Sequence, residues 1–118
     1  MQDRRKELRF PISLKVGARE KNRSSIFGST TDFSRSGLRV VFDEFESEPN
    51  SFIDLKIQRP DKDIFVPASA EVIWKRPILG KWEVGFRIKD FVPEAKAEIL
   101  EYSYNRWLRD KSLVGAYA

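Results

Sequence analysis

The stretch "IFVPASAEVIW", residues 64–74, decides the fold, because an apolar side chain occupies every second position along it. A period of two is typical of a half-buried β-strand. A second run of this kind, "WEVGFRI" at residues 82–88, follows the turn-forming segment "RPILGK" at 76–81. Two strands joined by a short turn form an antiparallel hairpin, so this part of the sequence predicts a β-rich fold.

The same alternation recurs through the residues that precede this hairpin. The predicted strands are 10–18, 26–31, 38–42, 53–57, 64–74 and 82–88. Six strands joined by short polar turns favour a six-stranded antiparallel β-barrel, closed or nearly closed.

A C-terminal helix is predicted after the barrel, over residues 93–110, because the apolar spacing changes there to three and four residues. The apolar face of this helix comprises Ala97, Leu100, Tyr104, Trp107 and Leu108. We expect that face to cover or flank the barrel.

Length and composition limit the classes of protein to which the chain can belong. Its 118 residues fit one domain, which we expect to span residues 1–118. Cysteine and histidine are both absent, which removes disulfides, the commonest metal ligands and the commonest general base. We therefore expect no enzyme, no metal centre and no cofactor. No apolar run approaches the ~18 residues that span a bilayer, so we expect a cytoplasmic protein without membrane insertion.

Positive charge is concentrated in the first third of the chain. Residues 1–40 contain ten Lys or Arg against four Asp or Glu, whereas residues 41–118 contain twelve against fourteen. This asymmetry favours an anionic partner that meets the N-terminal third. The charge distribution alone leaves open whether that partner is a nucleic acid, a membrane or a small nucleotide.

Two short motifs lie within this basic third. "RRKELR" at residues 4–9 places Arg5 and Arg9 four positions apart, immediately before the first predicted strand. "DFSRSG" at residues 32–37 has the spacing Asp-x-Ser-x-x-Gly between two predicted strands. Each motif has a plain structural interpretation when it is considered alone, the first as a solvated basic tail and the second as an ordinary turn.

Together, and followed by "WEVGF" at 82–86 and the helix, these motifs resemble the PilZ domain family, whose members bind the bacterial second messenger cyclic di-GMP. The resemblance covers essentially the whole chain. It implies a single PilZ-like domain in which residues 1–9 form a flexible ligand-binding arm, residues 10–90 the β-barrel and residues 93–110 the C-terminal helix. The ligand-binding residues that it implies are Arg4, Arg5, Arg9, Asp32, Ser34 and Gly37.

The residue types at these positions suit the ligand's chemistry. An arginine fork matches the two acceptors on one edge of guanine and also binds phosphate. Asp32 can accept hydrogen bonds from guanine N–H groups, and Ser34 can donate its hydroxyl to a phosphate or a base. Glycine at position 37 is expected to permit positive φ, which would bring the backbone close to the ligand.

The resemblance also suggests a mechanism and a stoichiometry. Arg4, directly before the motif, is associated in the family with a stacked, intercalated pair of cyclic di-GMP molecules, although it is equally interpretable as one more exposed cation. We expect the ligand to order the N-terminal arm and so to change the surface offered to an unidentified downstream protein. Arg35 lies within the second motif and Arg39 follows it, and neither receives a specific role.

Two other functions are compatible with the sequence. A small basic β-barrel could bind nucleic acid, but this needs exposed aromatic side chains. The pattern instead places Trp74, Trp82 and Phe86 in the core, so we expect no nucleic-acid partner. A PilZ-like protein–protein adaptor that does not bind the ligand is the other alternative, which the intact motifs disfavour.

Overall fold

The structure, a computed structural model, describes residues 7–20 and 25–116. In this part of the chain, seven strands precede one helix. The elements are β1 (Arg9–Pro11), β2 (Lys15–Arg19), β3 (Ile26–Ser34), β4 (Gly37–Phe42), β5 (Phe52–Gln58), β6 (Phe65–Ile78), β7 (Lys81–Phe91) and α1 (Pro93–Ala116). No helix among the described residues has the length and apolarity needed to cross a bilayer.

Six of these strands close into an antiparallel barrel, in the order β3-β2-β5-β6-β7-β4 with β4 returning to β3. The short strand β1 adds to the same side of β3 as β2, further along it. The predicted fold, a mainly β six-stranded barrel with a C-terminal helix, is confirmed.

The first predicted strand is divided in two. The sequence predicted one strand over residues 10–18, whereas β1 pairs with the end of β3 and β2 pairs with its beginning. The hydroxyl of Thr30 fills the gap between them, since it accepts a hydrogen bond from the Leu14 N–H (2.8 Å) and donates one to the Ile12 carbonyl. Ile12 and Leu14 nevertheless point into the core, which explains why the alternation hid the break.

The β6–β7 hairpin corrects two further expectations. β6 continues through Pro77 to Ile78, so the turn is Leu79–Gly80 and not the whole of residues 76–81. An extra residue, Ile73, forms a bulge against β7. A bulge reverses the face on which the following side chain lies. Trp74 is therefore outside the buried core, whereas Phe86 is inside it and Trp82 packs against it in part, as predicted.

The core lies within the barrel and beneath the start of α1. Its largest fully buried side chains include two phenylalanines, Phe33 and Phe42. Phe45, in the β4–β5 connection, is buried with them and stacks on Phe42 with ring centroids 5.1 Å apart.

Helix α1 is longer than predicted and packs through a different face. It runs to Ala116, and the buried residues among positions 93–110 are Ala95, Ile99 and Ser103. The predicted apolar face is wrong, because Ala97 is exposed, Leu100 is only partly buried, and Tyr104, Trp107 and Leu108 are each 40% or more exposed. Among the described side chains of the helix, those that pack on the core belong to its first half, and Trp107 and Leu108 are not part of the core.

Polar contacts tie α1 to the β5–β6 connection. Arg59 donates two hydrogen bonds to Glu98 (2.8 and 3.1 Å), and the Tyr102 hydroxyl donates to Asp61 (3.1 Å). The hydrogen bond from Arg59 lowers the pKa of Glu98 below its ordinary value, and partial desolvation opposes this shift. At the other edge, the rings of Phe10 and Tyr104 meet edge to face, so the helix also contacts β1.

Candidate functional site

Four polar residues meet on the outer face of the barrel, where β1, β3 and β4 lie side by side. Arg9 on β1 is opposite Ser34 on β3, and Asp32 on β3 is opposite Arg39 on β4. A bulge at Thr31 produces the second alignment. Directly opposed residues of an antiparallel pair share a face, so all four side chains are brought to one surface.

Asp32 lies between two arginines. The Arg9 Nη2 is 2.9 Å from Asp32 Oδ1, and the Arg39 Nε is 2.8 Å from Asp32 Oδ2. The carboxylate is mostly buried, with a side-chain exposure of 15%, whereas the two guanidinium groups are more than one-third exposed. One carboxylate thus orients two cations and leaves a net positive charge facing solvent.

Ser34 organises the turn that joins β3 to β4. Its buried hydroxyl accepts hydrogen bonds from the Gly37 N–H and from Arg9, both at 3.2 Å. The same hydroxyl lies 3.2 Å from the Gly37 carbonyl oxygen and 3.1 Å from Glu7 Oε1, and its single proton can serve one of them at a time. Ser34 therefore links the β3–β4 turn to Arg9.

Glycine is required at position 37 for a reason other than the predicted one. Its backbone does not adopt the left-handed φ that we expected. A β-carbon there would instead overlap the carbonyl oxygen of Phe86 on the neighbouring strand β7. The glycine therefore permits close approach of β4 to β7 where the turn begins.

A cavity of about 430 Å³ opens beside the arginines. Its described lining consists of Arg9, Ser36, Leu38, Arg39, Ile73, Trp74, Gly85, Phe86 and Arg87. Three of these residues are arginines and none is a carboxylate. This volume lies within the range of roughly 300–1,000 Å³ typical of small-molecule sites.

The indole of Trp74 forms one wall of this cavity because of Gly85. The two residues are opposite each other across β6 and β7, and a β-carbon at position 85 would overlap the indole ring. Glycine at position 85 therefore leaves room for the Trp74 ring to pack against β7.

The structure brings four of the predicted site residues into contact, namely Arg9, Asp32, Ser34 and Gly37. Arg4 and Arg5 lie outside the described residues, so their positions remain predictions. Sequence reasoning assigned none of the other eight lining residues to the site, including the polar or aromatic side chains of Ser36, Arg39, Trp74 and Arg87. One feature of the sequence could have indicated Arg39: it lies two positions after Gly37 of the second motif, in the strand predicted over residues 38–42.

Sequence comparison identifies the family. The profile of the PilZ domain matches residues 3–105, which is most of the chain. The chain therefore belongs to the PilZ domain family. No curated protein sequence matches it significantly.

Several solved structures share the fold. The inhibitor of motility MotI/DgrA of Bacillus subtilis aligns with a TM-score of 0.76 and 19% identity, over 92% of this chain and 53% of its own. The PilZ domain of YcgR from Escherichia coli, solved with c-di-GMP, aligns with a TM-score of 0.70 and 14% identity, over 93% of this chain and 98% of that domain. The chain thus spans about half of MotI/DgrA and nearly all of an isolated PilZ domain.

Proposed function

We propose that this chain is a receptor for cyclic di-GMP that acts through a protein partner and has no catalytic role. The observation that carries the proposal is the pairing of Arg9 and Arg39 with one carboxylate, Asp32, beside a cavity whose described lining contains three arginines and no carboxylate. A related PilZ domain, that of YcgR, has been solved with this ligand. One residue of each family motif, Arg9 of the first and Ser36 of the second, lines this cavity.

The cavity offers each part of the ligand a suitable partner. Guanidinium groups bind phosphate and the acceptor edge of guanine, and Arg9 and Arg39 expose both of their planar groups. Asp32 uses one acceptor position of each oxygen for these arginines, and the remaining lone pairs can accept guanine N–H groups. The Trp74 indole supplies an aromatic surface on which a base can stack.

The N-terminal arm completes the site in this proposal. Arg4 and Arg5 would add two cations to those already placed, and ligand phosphates would draw these two residues toward the β3–β4 turn. Glu7 and Arg9 already contact that turn, so the predicted arm of residues 1–9 ends earlier than expected. A positive Arg4 side chain favours binding of an intercalated ligand pair. The ordered arm would then change the surface that a downstream protein recognises.

Isothermal titration calorimetry with cyclic di-GMP tests the proposal and counts the ligands bound per chain. We expect saturable binding at micromolar concentrations or below. Arg9→Ala and Asp32→Ala should each weaken binding at least tenfold, because each removes a charged hydrogen-bonding group. Arg19→Ala is the matched control, since it removes an exposed cation from β2 at a position remote from the motifs. An absence of heat with the intact protein, or equal effects of all three variants, would contradict the proposal.

One observation favours the nucleic-acid alternative. Phe27 is 49% exposed on the outer face of β3, and the amino groups of Lys15 and Lys56 lie 5.6 and 5.8 Å from its ring centroid. The ring also packs across Gly17 and meets Phe65 edge to face, which gives it a structural role as well. Fluorescence anisotropy with a labelled single-stranded oligonucleotide separates the two functions, and Phe27→Ala should matter only if nucleic acid binds there.

A further inference from the structure

Glu7 contacts the β3–β4 turn from the segment that precedes β1. Its Oε1 accepts a hydrogen bond from the Ser36 hydroxyl at 2.7 Å and lies 3.1 Å from the Ser34 hydroxyl. Glu7 is half-buried there. It also lines a depression between β1 and α1, whose other lining residues are Leu8, Phe10, Arg35, Leu100, Glu101 and Tyr104. The Glu7 carboxylate thus contacts the β3–β4 turn through two serine hydroxyls.

Ser36 belongs to both places, because it also lines the cavity with Arg9 and Arg39. A serine hydroxyl has one proton, so it can donate to Glu7 or to a ligand atom in the cavity, but not to both. A phosphate oxygen resembles a carboxylate oxygen in charge and in hydrogen-bonding capacity. The two anions would therefore compete for the same donor and would repel each other across the turn.

We propose that Glu7 is an intramolecular competitor of the ligand's phosphates and lowers the affinity of the site. This inference rests on the proposed function, and it gives a role to a residue at one of the three unspecified positions between Arg5 and Arg9. Glu7 does not act as a ligand-binding residue. It acts through Ser36, whose hydroxyl it withdraws from the cavity, and through its negative charge beside the arginines.

A purely structural role for Glu7 leads to the opposite result. If the Glu7–Ser36 hydrogen bond only holds the turn in its binding conformation, its removal weakens ligand binding. Glu7→Gln separates the two roles, because the amide oxygen can still accept the hydrogen bond while the charge is removed. Glu7→Ala, which removes both, is the second variant.

Calorimetric titration of the full chain with cyclic di-GMP tests the inference. We expect Glu7→Gln to bind at least fivefold more tightly than the unmodified chain, and Glu7→Ala to bind more tightly as well. Glu101→Gln is the matched control, since Glu101 lines the same depression and the substitution changes net charge equally. That control should change affinity less than twofold.

Ser36→Ala supplies a readout that general electrostatics would not move. We expect it to change the affinity of the unmodified chain less than twofold, because Glu7 already engages the hydroxyl. In the Glu7→Gln background, where an uncharged and weaker acceptor leaves the hydroxyl free to turn to the ligand, Ser36→Ala should reverse much of the gain.

The outcomes are distinguishable. If the unmodified chain binds cyclic di-GMP but Glu7→Gln and Glu7→Ala bind equally or more weakly, this inference fails and the proposed function stands. An equal gain from Glu101→Gln also overturns it, since the effect would then follow net charge. If neither the unmodified chain nor Glu7→Gln binds, both proposals fail.

Discussion

Arg39 and Asp32 face each other across β3 and β4, with the arginine Nε 2.8 Å from the carboxylate Oδ2. Arg9 contacts the other oxygen of the same carboxylate, so a residue outside both motifs completes the charged cluster. Arg35 lies in the β3–β4 turn. It lines the depression between β1 and α1 and does not line the cavity that contains Arg39. The structure therefore separates two arginines that the sequence left equivalent.

The first prediction follows from this separation. Arg39→Ala should weaken cyclic di-GMP binding about tenfold or more, because a hydrogen bond to a charged group contributes roughly 1.5–3 kcal/mol. Arg35→Ala has the same change in charge and should alter affinity less than about threefold. Calorimetric titration of the two variants measures both effects. Equal losses would show that Arg39 contributes only to the general positive field.

The second prediction concerns the wall of the cavity. Gly85→Ala should destabilise the chain by about 1–3 kcal/mol, since the new β-carbon overlaps the Trp74 indole and forces it outward. Urea unfolding measures this loss. In a Trp74→Ala background the same substitution should cost much less, because the overlapping ring is gone. An unchanged cost in that background would place the strain in the backbone of β7 and not in the Trp74 contact.

The sequence predicted the barrel because its apolar side chains keep a period of two even where the strand pairing changes. Ile12 and Leu14 stay buried although they lie between β1 and β2, so the alternation could not reveal that break. The bulge at Ile73 had the opposite effect, since it moved Trp74 out of the predicted core and into the cavity wall. A bulge depends on pairing with a distant strand, and a periodic pattern in one strand carries no information about it.

The site was predictable to the extent that its residues belong to local motifs. Asp32, Ser34 and Gly37 lie within six residues, and their spacing alone indicated a shared turn. Arg39 needed the register of β3 against β4, which the bulge at Thr31 shifts by one residue. Glu7 could not be connected with Ser36 from sequence, because nothing in the spacing of a carboxylate and a hydroxyl 29 residues apart predicts their contact.

The third prediction tests how the chain passes from β1 to β2. Thr30→Val removes a buried hydroxyl that serves both the Leu14 N–H and the Ile12 carbonyl. An unsatisfied buried group costs about 1–3 kcal/mol, so the free energy of unfolding should fall by at least that amount. Thr31→Val, at the exposed neighbouring position, should change it by less than about 0.5 kcal/mol. Urea unfolding measures the free energy of unfolding of both variants. Equal losses would show that the Thr30 hydroxyl does not maintain the break between β1 and β2.

The fourth prediction concerns the acid dependence of the contact between α1 and the β5–β6 connection. The Arg59 hydrogen bond lowers the pKa of Glu98 in the folded chain. The contact therefore stabilises the fold above the unfolded glutamate pKa of about 4.3, and this contribution is lost as pH falls through the lower folded pKa. Because Glu98 is accessible to solvent, the effect should be small and should decrease with added salt.

Thermal unfolding of Glu98→Gln across a pH series measures this contribution. The variant should have a lower Tm than the unmodified chain near pH 7, and the difference should vanish in strong acid, where Glu98 is protonated in both states. Glu101→Gln, on the exposed side of the same helix, should show no such convergence. A Tm difference that persists unchanged at low pH would mean that Glu98 acts through packing or helix propensity, and not through its ion pair with Arg59.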